Sequence, residues 1–301
     1  MKICIQDWNQ VLADLIKELP KLKWERTDDI LEADKIVLWN EVVPEFIDLI
    51  EYAHKYGVPV IAVQHGRRGS SRYFPPFSQQ IVADKLCVWG TKDKKKLVDA
   101  GHPEDKIEIV GTTIFSHLKP REKHKGTNIV FCPEHWDVEV NENKRVAEEL
   151  RKLKGIKITT KAIEGHNASI YDNPVFSSRN SDKHLEICSN VLSTADLVVG
   201  IYEGTFELMA QYLDIPVVIV KDWDPKSFGG DDRYEQKYYR PISWGAKKVT
   251  LSDLRGAIKH QLANPGELKH ERLKIVREEG GIDVRDPLKK LVSIIKKTKR
   301  R

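Results

Sequence analysis

The chain has 301 residues, 40% hydrophobic and 32% charged, with a formal net charge of +5. That length suits two domains, because a single hydrophobic core stops growing near 250–300 residues, and the composition is that of a folded rather than a disordered protein. No run approaches the roughly 18–20 apolar residues of a membrane span, and MKICIQDWNQ is not a secretion signal, so a cytoplasmic location is expected.

The first third alternates short apolar runs with amphipathic stretches. Ile3–Ile5 reads as a strand, and Val11, Leu12, Leu15 and Ile16 as one face of a helix. Ile36–Trp39 is the next strand. A helix is predicted from Pro44, carried by Phe46, Ile47, Leu49, Ile50 and Ala53 and stopped by Gly57. Val58–Val63 and Leu86–Trp89 are nearly continuous apolar runs, as strands buried on both faces should be. A Lys-rich helix ending at Gly101 and a strand at Ile107–Val110 close the series. This β–α alternation predicts a parallel sheet.

Ser116–Gly126 is polar, holds Pro120 and Gly126, and reads as the linker. A second series follows: strands at Asn128–Cys132, Ile156–Thr160, Leu197–Val199, Pro216–Val220 and Lys248–Thr250. Helices are expected near Asn143–Leu153, Asp182–Leu192, Thr205–Leu213, Ser252–Ala263 (with Ser252 as N-cap), Pro265–Glu279 and Pro287–Lys297. The predicted division is residues 1–118, residues 119–280 and a basic C-terminal helix, 281–301, that packs back on the first domain.

Four cysteines, Cys4, Cys87, Cys132 and Cys188, lack metal-ligand spacing. Cys4, Cys87 and Cys132 follow or sit inside apolar runs, which predicts small buried core residues and fits a reducing compartment. The positive excess gathers at the end, in Lys289, Lys290, Lys296, Lys297 and Lys299 with Arg300 and Arg301. Such a run is either a solvated helix face or a contact for an anionic surface, membrane headgroups or nucleic acid.

In open α/β sheets ligands gather outside the carboxyl ends of strands, so candidate residues are those just after the apolar runs. In ADLVVGIYEGTFELMAQYLDIPVVIV, Gly200 and Gly204 mark a turn and Thr205 is placed to cap a helix and offer a hydroxyl. The amides of such a helix start favour phosphate; the plainer reading is an ordinary N-cap. In VQHGRRG, His65 at a strand end is a candidate general base, and Arg67, Arg68 and Arg72 face donor or acceptor phosphates or form a solvated loop. RYFPPFSQQ reads as a binding loop or lid. FCPEHWD supplies Glu134, His135 for a phosphate and Trp136 for stacking on a base; KAIEGHN supplies Lys161 for phosphate and Glu164 or His166 for base or ribose. Widely spaced His residues disfavour zinc. Neither G-x-S-x-G, G-x-x-x-x-G-K-[ST] nor an N-terminal G-x-G-x-x-G occurs, which argues against a nucleophile-elbow hydrolase, a P-loop NTPase and classical NAD binding.

QHG at 64–66, ADKLCVWGTKDKKKLVDAGHPEDKIEIVG at 83–111, the segment 195–220 and the ending GIDVRDPLKKLVSII together resemble the GT-B superfamily of nucleotide-sugar glycosyltransferases. The branch they resemble includes the capsule and teichoic acid CDP-glycerol glycerophosphotransferases and relatives of the UDP-GlcNAc 2-epimerases. The resemblance covers most of the chain and is weakest at 171–179 and 221–243. It implies two Rossmann-like domains with parallel sheets facing an active cleft. The implied donor site comprises Glu203, Gly204 and Thr205, with Lys161 and His135. His65 is implied as catalytic base, and no metal or other cofactor is implied. The acidic residue that binds ribose in such helices falls here on Met209, so Glu207, two positions earlier, is carried instead.

The reaction so implied is sugar transfer from a nucleoside-diphosphate sugar to a hydroxyl acceptor, a glycan, a lipid-linked chain or modified DNA. The alternatives are CDP-polyol phosphotransfer, nucleotide-sugar epimerisation, and a non-enzymatic glycan or nucleic-acid binding protein. A peripheral place at the inner membrane face is the localisation that the basic C-terminus adds.

Overall fold

A computed structural model describes residues 1–5, 10–39, 44–64, 66, 81–133, 140–165, 167–178, 183–201, 204–220 and 245–299; side chains at 10, 11, 44, 45 and 140 fall outside the description. The chain divides into two compact units, Met1–Ile114 with Arg277–Arg301, and Phe115–Val276. The first boundary lies four residues before the 118/119 division expected from sequence, and the terminal segment belongs to the first unit from Arg277 onward.

The first unit is built on a parallel sheet of six strands ordered β2-β1-β3-β4-β5-β6. These are β1 (Lys2–Ile5), β2 (Glu25–Arg26), β3 (Lys35–Leu38), β4 (Val60–Val63), β5 (Lys85–Val88) and β6 (Ile107–Ile109). β3 and β4 are buried along their whole length, as strands covered on both faces require. Helices α1 (Gln10–Leu22), α2 (Pro44–Lys55) and α3 (Thr91–Asp99) connect them. Gly57 and Gly101 end α2 and α3 at φ 69 and 92, a region that glycine enters without steric cost.

The C-terminal helix, here α9 (Pro287–Lys297), completes this core. Leu291, Val292, Ile294 and Ile295 pack in one cluster with Ile3, Leu12, Leu15 and Val63. Asp286 caps the helix by accepting from the Lys289 amide at 2.9 Å, and Pro287 occupies its first turn. The chain reaches it through Gly281, φ +64, where an added Cβ would meet the Trp89 carbonyl oxygen at 2.0 Å. Beside it the buried Glu279 pairs with Lys92 at 2.6 Å.

The second unit holds another parallel sheet of six strands, ordered β12-β11-β10-β7-β8-β9. Its strands are β7 (Thr127–Cys132), β8 (Ile156–Ile163), β9 (Pro174–Ser177), β10 (Leu197–Gly200), β11 (Val217–Val220) and β12 (Ala246–Val249). Its helices are α4 (Val140–Arg151), α5 (His184–Ser193), α6 (Thr205–Tyr212) and α7 (Leu254–Ala263); α8 (Lys269–Gly280) carries the boundary between the units. α4 and α7 share one cluster with Ile129, Phe131, Leu197, Val199, Val218 and Val220. Strand alternation turns Val130, Val198 and Val217 to the other face, where α5 packs on β8 and β9 and α6 on β10 and β11.

Several local expectations are corrected. Cys132 is half-buried, because it ends β7, whereas Cys188 inside α5 is buried. α7 starts at Leu254, and Ser252 does not cap it: Ser252 lies against the Thr250 hydroxyl at 2.8 Å. The polar segment 116–126 is strapped to the second unit. The Lys119 amide donates to Ser189 Oγ at 2.8 Å, the Glu122 amide to the Ser193 carbonyl at 2.7 Å, and Arg121 pairs with Asp196 at 3.2 Å. Strands β2 and β9 were not anticipated; both are edge strands.

Candidate active site

The order of the second sheet places β7 and β10 side by side at its centre, although α4, β8, β9 and α5 separate them in the chain. The connection after β7 leads to α4 on one face and that after β10 to α6 on the other. Two connections that leave a sheet edge in opposite directions open a crevice outside the carboxyl ends of their strands, the general ligand position of such folds.

The segment after β10 is Gly200–Ile201, then Gly204 and α6. Gly204, not Thr205, is the N-cap, with extended backbone at φ −104; Thr205 is the first helical residue, which corrects its expected capping role. A glycine N-cap has no side chain to accept from the amides of the first turn, and those amides carry the positive end of the helix dipole. The Glu207 carboxylate reaches back and accepts from the Gly204 amide at 2.8 Å. Glu207 is buried, and this bond gives it a task within the turn. It orients Gly204 while the bond itself takes up the cap amide only.

Lys161 belongs to β8. Thr160 pairs with Phe131, and Cys132 pairs with Gly200, so Lys161 falls in the row of the sheet that closes β7 and β10. Its alternation parity places it on the α5/α6 face. The residue is 5% exposed, and among the described residues no hydrogen bond or ion pair is found for its ammonium. Burial of an ammonium is costly unless an anion or another partner meets it, which makes this position a candidate for anion binding. Burial raises the Cys188 thiol above its ordinary pKa; the positive charge of Lys161 opposes that and the negative charge of Glu207 adds to it. Lys161 and Glu207 therefore each lie within electrostatic reach of Cys188 on α5, which agrees with the face that strand alternation gives to Lys161. Sequence reading missed Cys188 here because its position on α5 carries no motif.

Around position 65, sequence reading also missed the support. Gln64 is 2% exposed. Its Nε2 donates to the Gly66 carbonyl and to Asp93 Oδ2, both at 2.8 Å. Its Oε1 accepts from the Trp89 amide at 2.8 Å, and its carbonyl accepts from Trp89 Nε1 at 3.0 Å. The residues flanking position 65 are thus held by one buried amide. His65, Arg67, Arg68, Arg72, Glu134, His135, Trp136, His166 and Glu203 themselves lie outside the described residues. Glu164 is exposed at the end of β8. Among the described residues no group of three His, Cys, Asp or Glu side chains gathers as a metal site.

No protein-family model matches the sequence, and no curated protein matches it. Solved structures do match its fold over nearly the whole length. A UDP-GlcNAc 2-epimerase from Neisseria meningitidis, bound to UDP-GlcNAc, superposes with a TM-score of 0.62 at 12% identity, covering 99% of this chain and 100% of that one. The wall teichoic acid polymerase TagF, in a variant soaked with CDPG, gives 0.64 at 11% identity over 98% and 88%. The glycotransferase of kitacinnamycin gives 0.55 at 12% identity over 97% of each chain. The chain has the GT-B fold. These GT-B neighbours are enzymes, and at such identity the likeness is one of fold. No helix among the described residues is long and apolar enough to cross a membrane.

Proposed function

We propose that the protein is a metal-independent glycosyltransferase that binds the diphosphate of a nucleoside-diphosphate sugar against the start of α6 and Lys161. The observation that carries this reading is the buried ammonium of Lys161, in the row that ends β7 and β10, for which no ion pair is found among the described residues. Two GT-B neighbours were solved with UDP-GlcNAc and with CDPG, which supports a nucleotide-linked donor.

In the proposed reaction the acceptor oxygen attacks the anomeric carbon, and the bond from that carbon to the diphosphate breaks. The diphosphate leaves with the electron pair. Lys161 and the first amides of α6, with Gly204 and Thr205 at the turn, stabilise the negative charge that develops there. His65 takes the acceptor proton. Glu203 and His135 complete the donor set, and Arg67, Arg68 and Arg72 bind acceptor or donor phosphates. Glu207 serves this set by holding Gly204, rather than by binding ribose.

Transfer of a polyol phosphate from a CDP-polyol is the second reading, supported by the TagF likeness. Incubation with UDP-sugars or CDP-glycerol and an acceptor panel separates the two. Release of a nucleoside diphosphate marks sugar transfer and release of CMP marks phosphotransfer. Product from UDP-GlcNAc without acceptor would mean epimerisation. Nucleotide binding without turnover on any donor would contradict the enzymatic reading.

A further inference from the structure

α9 presents two faces of opposite character. Leu291, Val292, Ile294 and Ile295 are buried in the core of the first unit. The remaining stripe is Lys289, Lys290, Ser293, Lys296 and Lys297, and the sequence of α9 contains no acidic residue. All four lysines are exposed, as is Lys299 beyond the helix. Asp286, the acidic residue nearest in sequence, sits at the N-cap, where its carboxylate accepts from the Lys289 amide.

The stripe continues onto α1, against which α9 packs. Lys296 Nζ stands 5.7 Å from the ring centroid of Trp24, just past the end of α1. Lys21 and Lys23, both exposed, precede Trp24 closely in the chain, and the exposed Glu25 follows it. Lys21 has a partner in Glu18 at 2.5 Å. For Lys23, Lys289, Lys290 and Lys297 no ion pair is found among the described residues.

We propose that this face of α9 and the end of α1 docks the protein on an anionic lipid surface. Positive charges on one straight helix match a flat layer of headgroup phosphates, whereas a nucleic acid duplex favours a concave track and forked arginine contacts. The apolar side of α9 is already used inside the protein, so nothing inserts deeply. Attachment is electrostatic, shallow and reversible, with the partly covered Trp24 ring at headgroup level. Such binding weakens steeply with salt, because the attraction falls off within a Debye length. It is independent of the donor-site reading.

The test is co-sedimentation of the full chain with phosphatidylcholine vesicles containing 0% or about 30% phosphatidylglycerol, at low and at high salt. Binding is expected only to the anionic vesicles, falling at least about tenfold at high salt. A fourfold charge reversal, Lys289→Glu, Lys290→Glu, Lys296→Glu and Lys297→Glu, is expected to lower it by at least about tenfold while circular dichroism and thermal melting confirm folding. Should that variant fail to fold, the same four positions changed to glutamine serve. Equal binding to neutral vesicles, no binding at low salt, or unchanged binding by the folded variant would overturn the proposal. So would tighter, α9-dependent binding to duplex DNA than to the vesicles.

Discussion

At Lys161 the cost of burying a charge and the use of that charge separate cleanly. Replacing it by methionine removes an ammonium that has no ion pair among the described residues from a site that is 5% exposed. Thermal stability of the ligand-free protein is expected to hold or to rise by about 1 kcal/mol, while the stabilisation given by nucleoside diphosphates is lost. A structural lysine would show the reverse, lower stability with ligand response retained; scanning calorimetry with and without ligand reads both. Asp214 is a second residue with a definite sign. Burial opposes its ionisation, but hydrogen bonds from Lys269 and Arg272 outweigh that and hold its carboxyl below the ordinary range. A depressed folded pKa contributes stability above the unfolded value, about 3.9, that is lost as pH falls through the folded value. Acid denaturation of Asp214→Asn should therefore show a shallower slope below about pH 4 than the parent.

At the scale of elements, α9 behaves as a core helix although it comes last. Leu291→Ala is expected to cost about 2–5 kcal/mol, measured by urea denaturation, because the side chain is fully buried among β-strand and α1 residues. Gly281→Ala should cost about 2 kcal/mol or more, since its φ is +64 and the new Cβ would overlap the Trp89 carbonyl. What could be read from sequence follows from the same physics. β4 and β10 were visible as unbroken apolar runs, and α9 as a 3.6-residue period after a proline. β9 was not, because PVFS is four residues long and opens with a proline that only an edge strand tolerates. The capping bond of Glu207 escaped notice because glycine replaces the Ser or Thr that signals the box. The Gln64 clamp pairs residues 25 and 29 positions apart, beyond any local pattern.

Over the whole molecule, two parallel sheets of six strands each and a C-terminal segment that returns to the first unit describe the GT-B fold. The alternation of short apolar runs with amphipathic helices was sufficient to expect two parallel sheets and five strands of each, whereas the GT-B fold was expected from the resemblance of particular segments. The same alternation says little about chemistry, because one fold hosts transfer, epimerisation and polymerisation. The proposed function rests instead on three local features: a helix start with a glycine cap, a buried lysine at the end of neighbouring strands, and a strand end held by Gln64.

A crystal structure of the protein with UDP or CDP bound would test the central claim most directly. The diphosphate is expected at the start of α6, with phosphate oxygens about 3 Å from the Thr205 amide and from Lys161 Nζ. A nucleotide lodged elsewhere, with Lys161 turned away from it or the first turn of α6 closed by protein side chains, would contradict it.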